Sequence, residues 1–218
     1  MNAATNNIAQ TDAKRNLWPL WAMICVFGAP VVATWFYFFF PEHLPQTHSN
    51  RGELLNPTVP LSDGLGLTGP GTGSDPFDLE AIKGSWTLVY LTGDGCDAAC
   101  VERLTQLRQI RLGLGESFNL VQRLLLTPAE SPPIDQTLLA DAFEGMHVAR
   151  LSADGEAQLM DTLGEGSAAQ GRIYIADPRA ELMMRYGADA PPEDTLKDME
   201  RLLKGSKNWM KGTNYGHD

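Results

Sequence analysis

Cys96 and Cys100, four residues apart, are the residues whose type and spacing put chemistry within reach of this chain. They lie in Trp86-Thr-Leu-Val-Tyr-Leu-Thr-Gly-Asp-Gly-Cys96-Asp-Ala-Ala-Cys100. The β-branched and aromatic run reads as a buried strand, the glycines as a turn, and the residues from Asp97 as the first turn of a helix. A helix N-terminus presents unpaired N–H groups and the positive end of the helix dipole. The spacing therefore predicts a Cys96 thiol shifted toward thiolate, ready as nucleophile or metal ligand. If both cysteines are helical, their Cβ atoms stand about 5–6 Å apart, close enough to share one small soft cation. A disulfide needs about 3.5–4.5 Å, which requires Cys96 to sit in the turn and bend inward. Dithiol, disulfide and a static structural staple all fit the spacing.

The elements that must position this pair follow from periodicity. Strand-like runs cover 86–92, 119–127 and 146–151. Val101, Leu104, Leu107 and Ile110, interleaved with Glu102, Arg103, Arg108 and Arg111, give one apolar face to a helix over 97–114. Further helices are predicted over 134–143 and 154–163, then a hairpin from 172–177 and 181–186, and a closing helix over 192–204. Strands separated by helical segments demand crossovers and a sheet covered on both faces, so the fold class is an α/β sandwich spanning 79–204. Residues 205–218 read as a flexible tail.

Ahead of this domain, residues 17–40 carry no formal charge and reach roughly 36 Å as a helix, enough to span a bilayer. A cleaved signal peptide would have a shorter apolar run ending in small residues, and this one ends in Trp-Phe-Tyr-Phe-Phe-Phe. Trp18, Trp21, Trp35 and Tyr37 lie toward its two ends, where amphipathic rings favour the interface. Lys14 and Arg15 precede the span and the next basic residue is Arg51, so residues 1–16 are expected in the cytoplasm. The rest is then expected to be periplasmic or otherwise extracytoplasmic, with the single-pass anchor in the inner (cytoplasmic) membrane. Cys25, inside the span, is a small hydrophobe with no expected chemistry. Residues 41–78 are rich in proline and glycine and read as a linker. His43 and His48 on it lack a third ligand and are expected to bind nothing.

Charge excludes one class of partner. The 218 residues carry 17 Lys plus Arg against 27 Asp plus Glu, a net of −10, and all but three of these charges lie beyond the span. Such a chain lacks the basic footprint of a nucleic-acid binder. Arg103, Arg108, Arg111 and Arg123 are expected to form a solvated face around the first helix, able at most to meet an acidic partner. No G-x-S-x-G or H-E-x-x-H occurs, so hydrolase chemistry has no candidate.

The stretch Phe77-Asp-Leu-Glu-Ala-Ile-Lys-Gly-Ser-Trp86-Thr-Leu-Val-Tyr90, followed by Cys96, Cys100 and Leu104, resembles the start of the thioredoxin-like domain of the Sco/SenC family. Ile173-Tyr-Ile-Ala-Asp177-Pro178 is similar to that domain's late strand and Asp-Pro turn. The resemblance implies a thioredoxin-like sandwich with a central mixed sheet behind one transmembrane helix. It also implies a role in cytochrome c oxidase assembly, with an oxidase subunit or another assembly factor as partner. Cys96 and Cys100 would hold Cu(I) or cycle as a thiol-disulfide oxidoreductase. Two departures bear on this. Val101 stands where the family usually has proline. The family's third copper ligand, a histidine, would fall at or near Ala169, and no histidine occurs from Val148 to Gly216. His147, the one histidine inside the domain, is expected in a core or surface role. The resemblance thus implies a divergent Sco-like protein, and the alternative is a non-catalytic thioredoxin-like scaffold of the respiratory membrane.

Overall fold

The computed structural model describes residues 17–40, 50–69, 75–93, 95–135, 143–164 and 166–213. The chain divides into two units, Met1–His48 and Ser49–Asp218. In the first, helix α1 (Trp18–Phe39) is long and apolar enough to cross a membrane, and none of its side chains is buried by protein. Pro30 inside it removes one backbone donor, and Thr34 Oγ1 donates to the Pro30 carbonyl at 2.8 Å. His43, His48 and residues 1–16 lie outside the described residues.

The second unit contains β1 (Glu53–Pro60), β2 (Trp86–Leu91), α2 (Ala98–Gly113), β3 (Val121–Thr127), β4 (His147–Arg150), α3 (Ala153–Leu163), β5 (Ile173–Ala176), β6 (Glu181–Tyr186) and α4 (Pro192–Thr213). The six strands form one sheet in the order β1-β6-β5-β2-β3-β4. β2, β3 and β4 run parallel; β5 pairs antiparallel with β2, and β6 pairs antiparallel with β5, so β6 again runs in the direction of β2. β2 is central and buried on both faces, hence its nearly unbroken apolar sequence. Leu88 and Tyr90 face α2 and α4 together with Leu104, Leu107, Met199 and Leu203. Val89 and Leu91 face α3, with Leu159 and Leu163. Each such fully buried leucine contributes about 2 kcal/mol of transfer free energy. This is the mixed, two-face-covered sheet expected from the sequence.

Several boundaries differ from expectation. Residues 53–67 of the segment read as a linker belong to the fold. β1 pairs antiparallel with β6, matching Glu53 to Arg185, and Val59, Leu61, Leu65 and Leu67 are buried in the α3-side core. Pro57 and Pro60 do not prevent this because β1 is an edge strand, where a missing N–H is not required. The chain then crosses the α3 face to the opposite edge, where Thr68 and Arg150 exchange backbone hydrogen bonds at 2.8 and 2.9 Å. The crossing is tight: a Cβ at Gly155 would sit 2.0 Å from the Leu65 carbonyl oxygen. Two further hydrogen bonds pin this segment to α4, from the Arg51 and Gly52 N–H groups to Asp198 Oδ2 at 2.7 and 2.8 Å. The closing helix runs on to Thr213, into the stretch expected as a tail. Residues 115–120 form a 3-10 turn, so β3 starts at Val121 and not at 119. Most of the helix expected over 134–143 lies outside the described residues.

Candidate functional site

The C-terminal end of β2 is where three loops meet. The Thr92 N–H donates to the Leu126 carbonyl at 3.0 Å, and the chain then turns through Gly93 and Gly95. Gly95 has φ 116°, and a Cβ there would lie 3.2 Å from Pro132 Cγ, so a side chain would be strained in backbone conformation and crowded against Pro132. Ser131 Oγ donates to the Gly93 carbonyl at 3.2 Å, tying the loop after β3 to this turn. Arg150 holds the same loop by donating from Nη1 to the carbonyls of Ala129 and Ser131. From the other side, the Gly171 N–H donates to the Leu91 carbonyl at 2.7 Å.

Asp97 then caps α2, its carboxylate accepting from the Cys100 N–H at 3.0 Å. Cys96 precedes the cap and Cys100 is the third residue of the helix, and the structure joins them in a disulfide with Cα atoms 5.0 Å apart. Of the arrangements the spacing allowed, this is the one in which Cys96 sits in the turn. Cys100 is 3% exposed, in the core beside Tyr90 and Leu104, whereas Cys96 is half-buried at the rim. Burial raises the Tyr90 phenol above its ordinary pKa. A groove of about 530 Å³, lined among others by Tyr90, Ala99, Arg103, Gly171 and Asp189, opens beside this first turn.

Other residues singled out from the sequence lie elsewhere. Ala169 is fully buried in the α3-side core and its carbonyl accepts from Tyr174 Oη at 3.0 Å, so it offers no side-chain ligand. His147 lies in β4 opposite Leu124, with its ring edge-on to Phe77 at 6.4 Å, on the α3 face of the sheet and away from Cys100. Burial lowers its pKa, which keeps the imidazole neutral. Among the described residues, no group of three His, Cys, Asp or Glu side chains is placed to hold a metal. Cys25 is exposed on α1.

The expected solvated arginine face is corrected at one position. Arg108 is exposed and Arg111 half-buried, but Arg123 is 3% exposed and faces the α2 side of the sheet between Val121 and Leu125. Period-two alternation along β3 carried that signal, because it puts position 123 on the same face as two core residues. Asp198, 2% exposed, was also missed, since a lone acid in an amphipathic helix gives no sign that its face is covered.

Residues 86–206 match the model of the family "Transmembrane-like, thioredoxin-like, C-terminal domain". The chain belongs to that family. No curated protein matches it in sequence. Among solved structures, apo Sco1 from Thermus thermophilus is 15% identical with a TM-score of 0.52, covering 72% of this chain and 99% of that one. Yeast Sco1 with copper bound is 17% identical, TM-score 0.46, covering 60% and 85%. The thioredoxin domain of a thiol-disulfide oxidoreductase from Bacteroides vulgatus is 11% identical, TM-score 0.46, covering 62% and 92%. This chain therefore has a thioredoxin-like fold similar to that of Sco1, and an N-terminal apolar helix long enough to cross a membrane.

Proposed function

We propose that this protein is a membrane-anchored, extracytoplasmic thiol-disulfide exchange protein acting in cytochrome c oxidase assembly, with Cys96 and Cys100 as its reactive pair. The observation that carries this reading is the asymmetry of the disulfide, with Cys96 at the rim and Cys100 buried at the start of α2. A partner thiolate attacks Cys96 Sγ and forms a mixed disulfide. The Cys96–Cys100 bond breaks and its electron pair leaves on Cys100 Sγ, which takes a proton from solvent. A second partner thiolate then attacks the partner sulfur of the mixed disulfide and releases the Cys96 thiol. The partner dithiol is oxidised and the pair reduced. Run in reverse, with a dithiol donor to regenerate the reduced pair, the same steps reduce a partner's disulfide, such as one blocking the copper-site thiols of an oxidase subunit. The positive end of α2 favours the leaving thiolate on Cys100, while the Asp97 carboxylate at its N–H opposes it.

Cu(I) as cargo is the second reading. The reduced pair supplies two soft sulfur donors on one turn, and the copper-bound state of yeast Sco1 gives it a precedent in fold. The pair as found is oxidised, and Ala169 and His147 supply no third ligand.

One experiment separates the two. The full chain in detergent is equilibrated in thiol buffers, and its free thiols are counted alongside anaerobic Cu(I) competition on the reduced form. The exchange reading expects a reversible two-electron transition more negative than about −200 mV and weak Cu(I) retention. Tight binding of one Cu(I), lost in Cys96→Ser and in Cys100→Ser, would replace it with the cargo reading. A pair that neither cycles nor binds Cu(I) would leave the scaffold.

A further inference from the structure

The C-terminal half of α2 and the adjoining part of β3 hold a cluster of positive charge that the proposed exchange site does not use. Arg123 is 3% exposed, and of its guanidinium only Nη2 has a partner, the Glu144 carbonyl at 2.7 Å. Its Nε and Nη1 have no hydrogen-bond partner. Among the described residues, the charged side chains acting on it are Arg111 and Arg108, both of the same sign; burial, the largest cause, and these two lower its pKa to about 10. Arg111 is spent on neutral partners: Nε donates to the Val121 carbonyl at 2.7 Å, and the guanidinium lies 5.1 Å over the Phe118 ring. Among the described residues, no carboxylate pairs with Arg108, Arg111 or Arg123.

A buried guanidinium with unsatisfied donors and like-charged neighbours is strongly unfavourable unless something negative completes it. Exposure falls from Arg108, which is exposed, through half-buried Arg111 to buried Arg123, so the cluster reaches from the surface into the core. We infer that Arg123, Arg111 and Arg108 form a binding site for a small doubly charged oxyanion of the phosphate type, on the α2 face of the sheet and toward the end opposite the disulfide. Guanidinium groups suit this ligand because they stay ionised and present several N–H donors in a plane, matching oxygens that each accept more than one hydrogen bond. A dianion suits the site because Arg111 and Arg108 add their charge to that of Arg123 and, among the described residues, no acid pairs with any of the three. A single carboxylate would leave most of that charge uncompensated.

The test is thermal unfolding of the full chain in detergent at about pH 8 and constant ionic strength, with chloride exchanged for inorganic phosphate, sulfate or acetate. Phosphate up to about 10 mM is expected to raise Tm by roughly 4 °C in a saturable way. Sulfate should act similarly and acetate should not. Arg123→Met should lose the response and, without phosphate, unfold no lower than the parent, because it removes an uncompensated buried charge. If Arg123→Met does not fold, Arg108→Gln/Arg111→Gln, which leaves the buried residue intact, should fold and show a response reduced at least several-fold. The proposal is overturned if phosphate leaves the wild-type Tm unchanged, if acetate matches phosphate, or if the response survives in either variant.

Discussion

At its N-terminal end, α2 starts from a turn several of whose backbone groups are paired. Gly93 accepts from Ser131, the Thr92 N–H reaches Leu126, Asp97 takes the Cys100 N–H, and a disulfide closes the turn. Toward its C-terminal end, the same helix brings Arg108 and Arg111 to a buried Arg123 whose remaining donors have no partner. One end is finished by covalent and backbone bonding, so its reactivity is a property of one bond. The other is unfinished in charge, so its completion depends on something added. The middle of the helix, where Leu104 and Leu107 are fully buried, lies between the two.

Breaking that shared middle should have the largest effect. Leu104→Ala removes a fully buried side chain and is expected to destabilise the protein by about 3 kcal/mol in denaturant unfolding, lowering the stability seen from both ends. A loss below about 1 kcal/mol would mean that α2 is not held by this face. Next comes reduction of the disulfide. The closed loop is short, so the loss should be about 2 kcal/mol, with the α2 C-terminus unaffected as judged by hydrogen exchange.

Asp97→Ala should cost about 1 kcal/mol through the lost cap and, by removing a negative charge beside the sulfurs, speed alkylation of the reduced pair near neutral pH. Asp97→Ser, which can still cap, should retain the stability and keep the faster alkylation. If neither variant changes the rate, the Asp97 charge does not act on the thiols.

The smallest effect is on the face away from both ends. His147 has a folded-state pKa held below the ordinary histidine value by burial, so the unfolded chain binds the proton more readily. Stability should be full above the unfolded value of about 6.5 and decline slightly as pH falls below it. That step should be absent in His147→Gln. An equal decline in the variant would assign the acid sensitivity to other groups.

Much of this comparison was legible in the sequence, and the failures have physical causes. The strand, glycine turn and helix start around Cys96 and Cys100 were readable because each step is a local preference of the residues present. The Leu104, Leu107 and Ile110 stripe was readable because helical periodicity exposes it. What the sequence obscured is nonlocal. β1 was hidden by Pro57 and Pro60, which are tolerated because the strand ends up at an edge, and that edge is defined only once β6 is in place. Arg123 was grouped with surface arginines by its charge, although its place between Val121 and Leu125 assigns it inward. Asp198 is buried only because residues 51–52 return from far along the chain to meet it, and Tyr186 Oη adds a third donor at 3.1 Å.

The central claim is that exchange proceeds by attack on Cys96, with Cys100 as the sulfur that leaves. Its most direct test is to offer a disulfide, oxidised glutathione, to the reduced single-cysteine variants of the full chain and to map the adduct by peptide mass. Cys100→Ser should trap a mixed disulfide at Cys96 readily. Cys96→Ser, whose remaining thiol is 3% exposed in the wild-type structure, should react at least about tenfold more slowly. Equal rates, or faster capture at Cys100, would contradict the account.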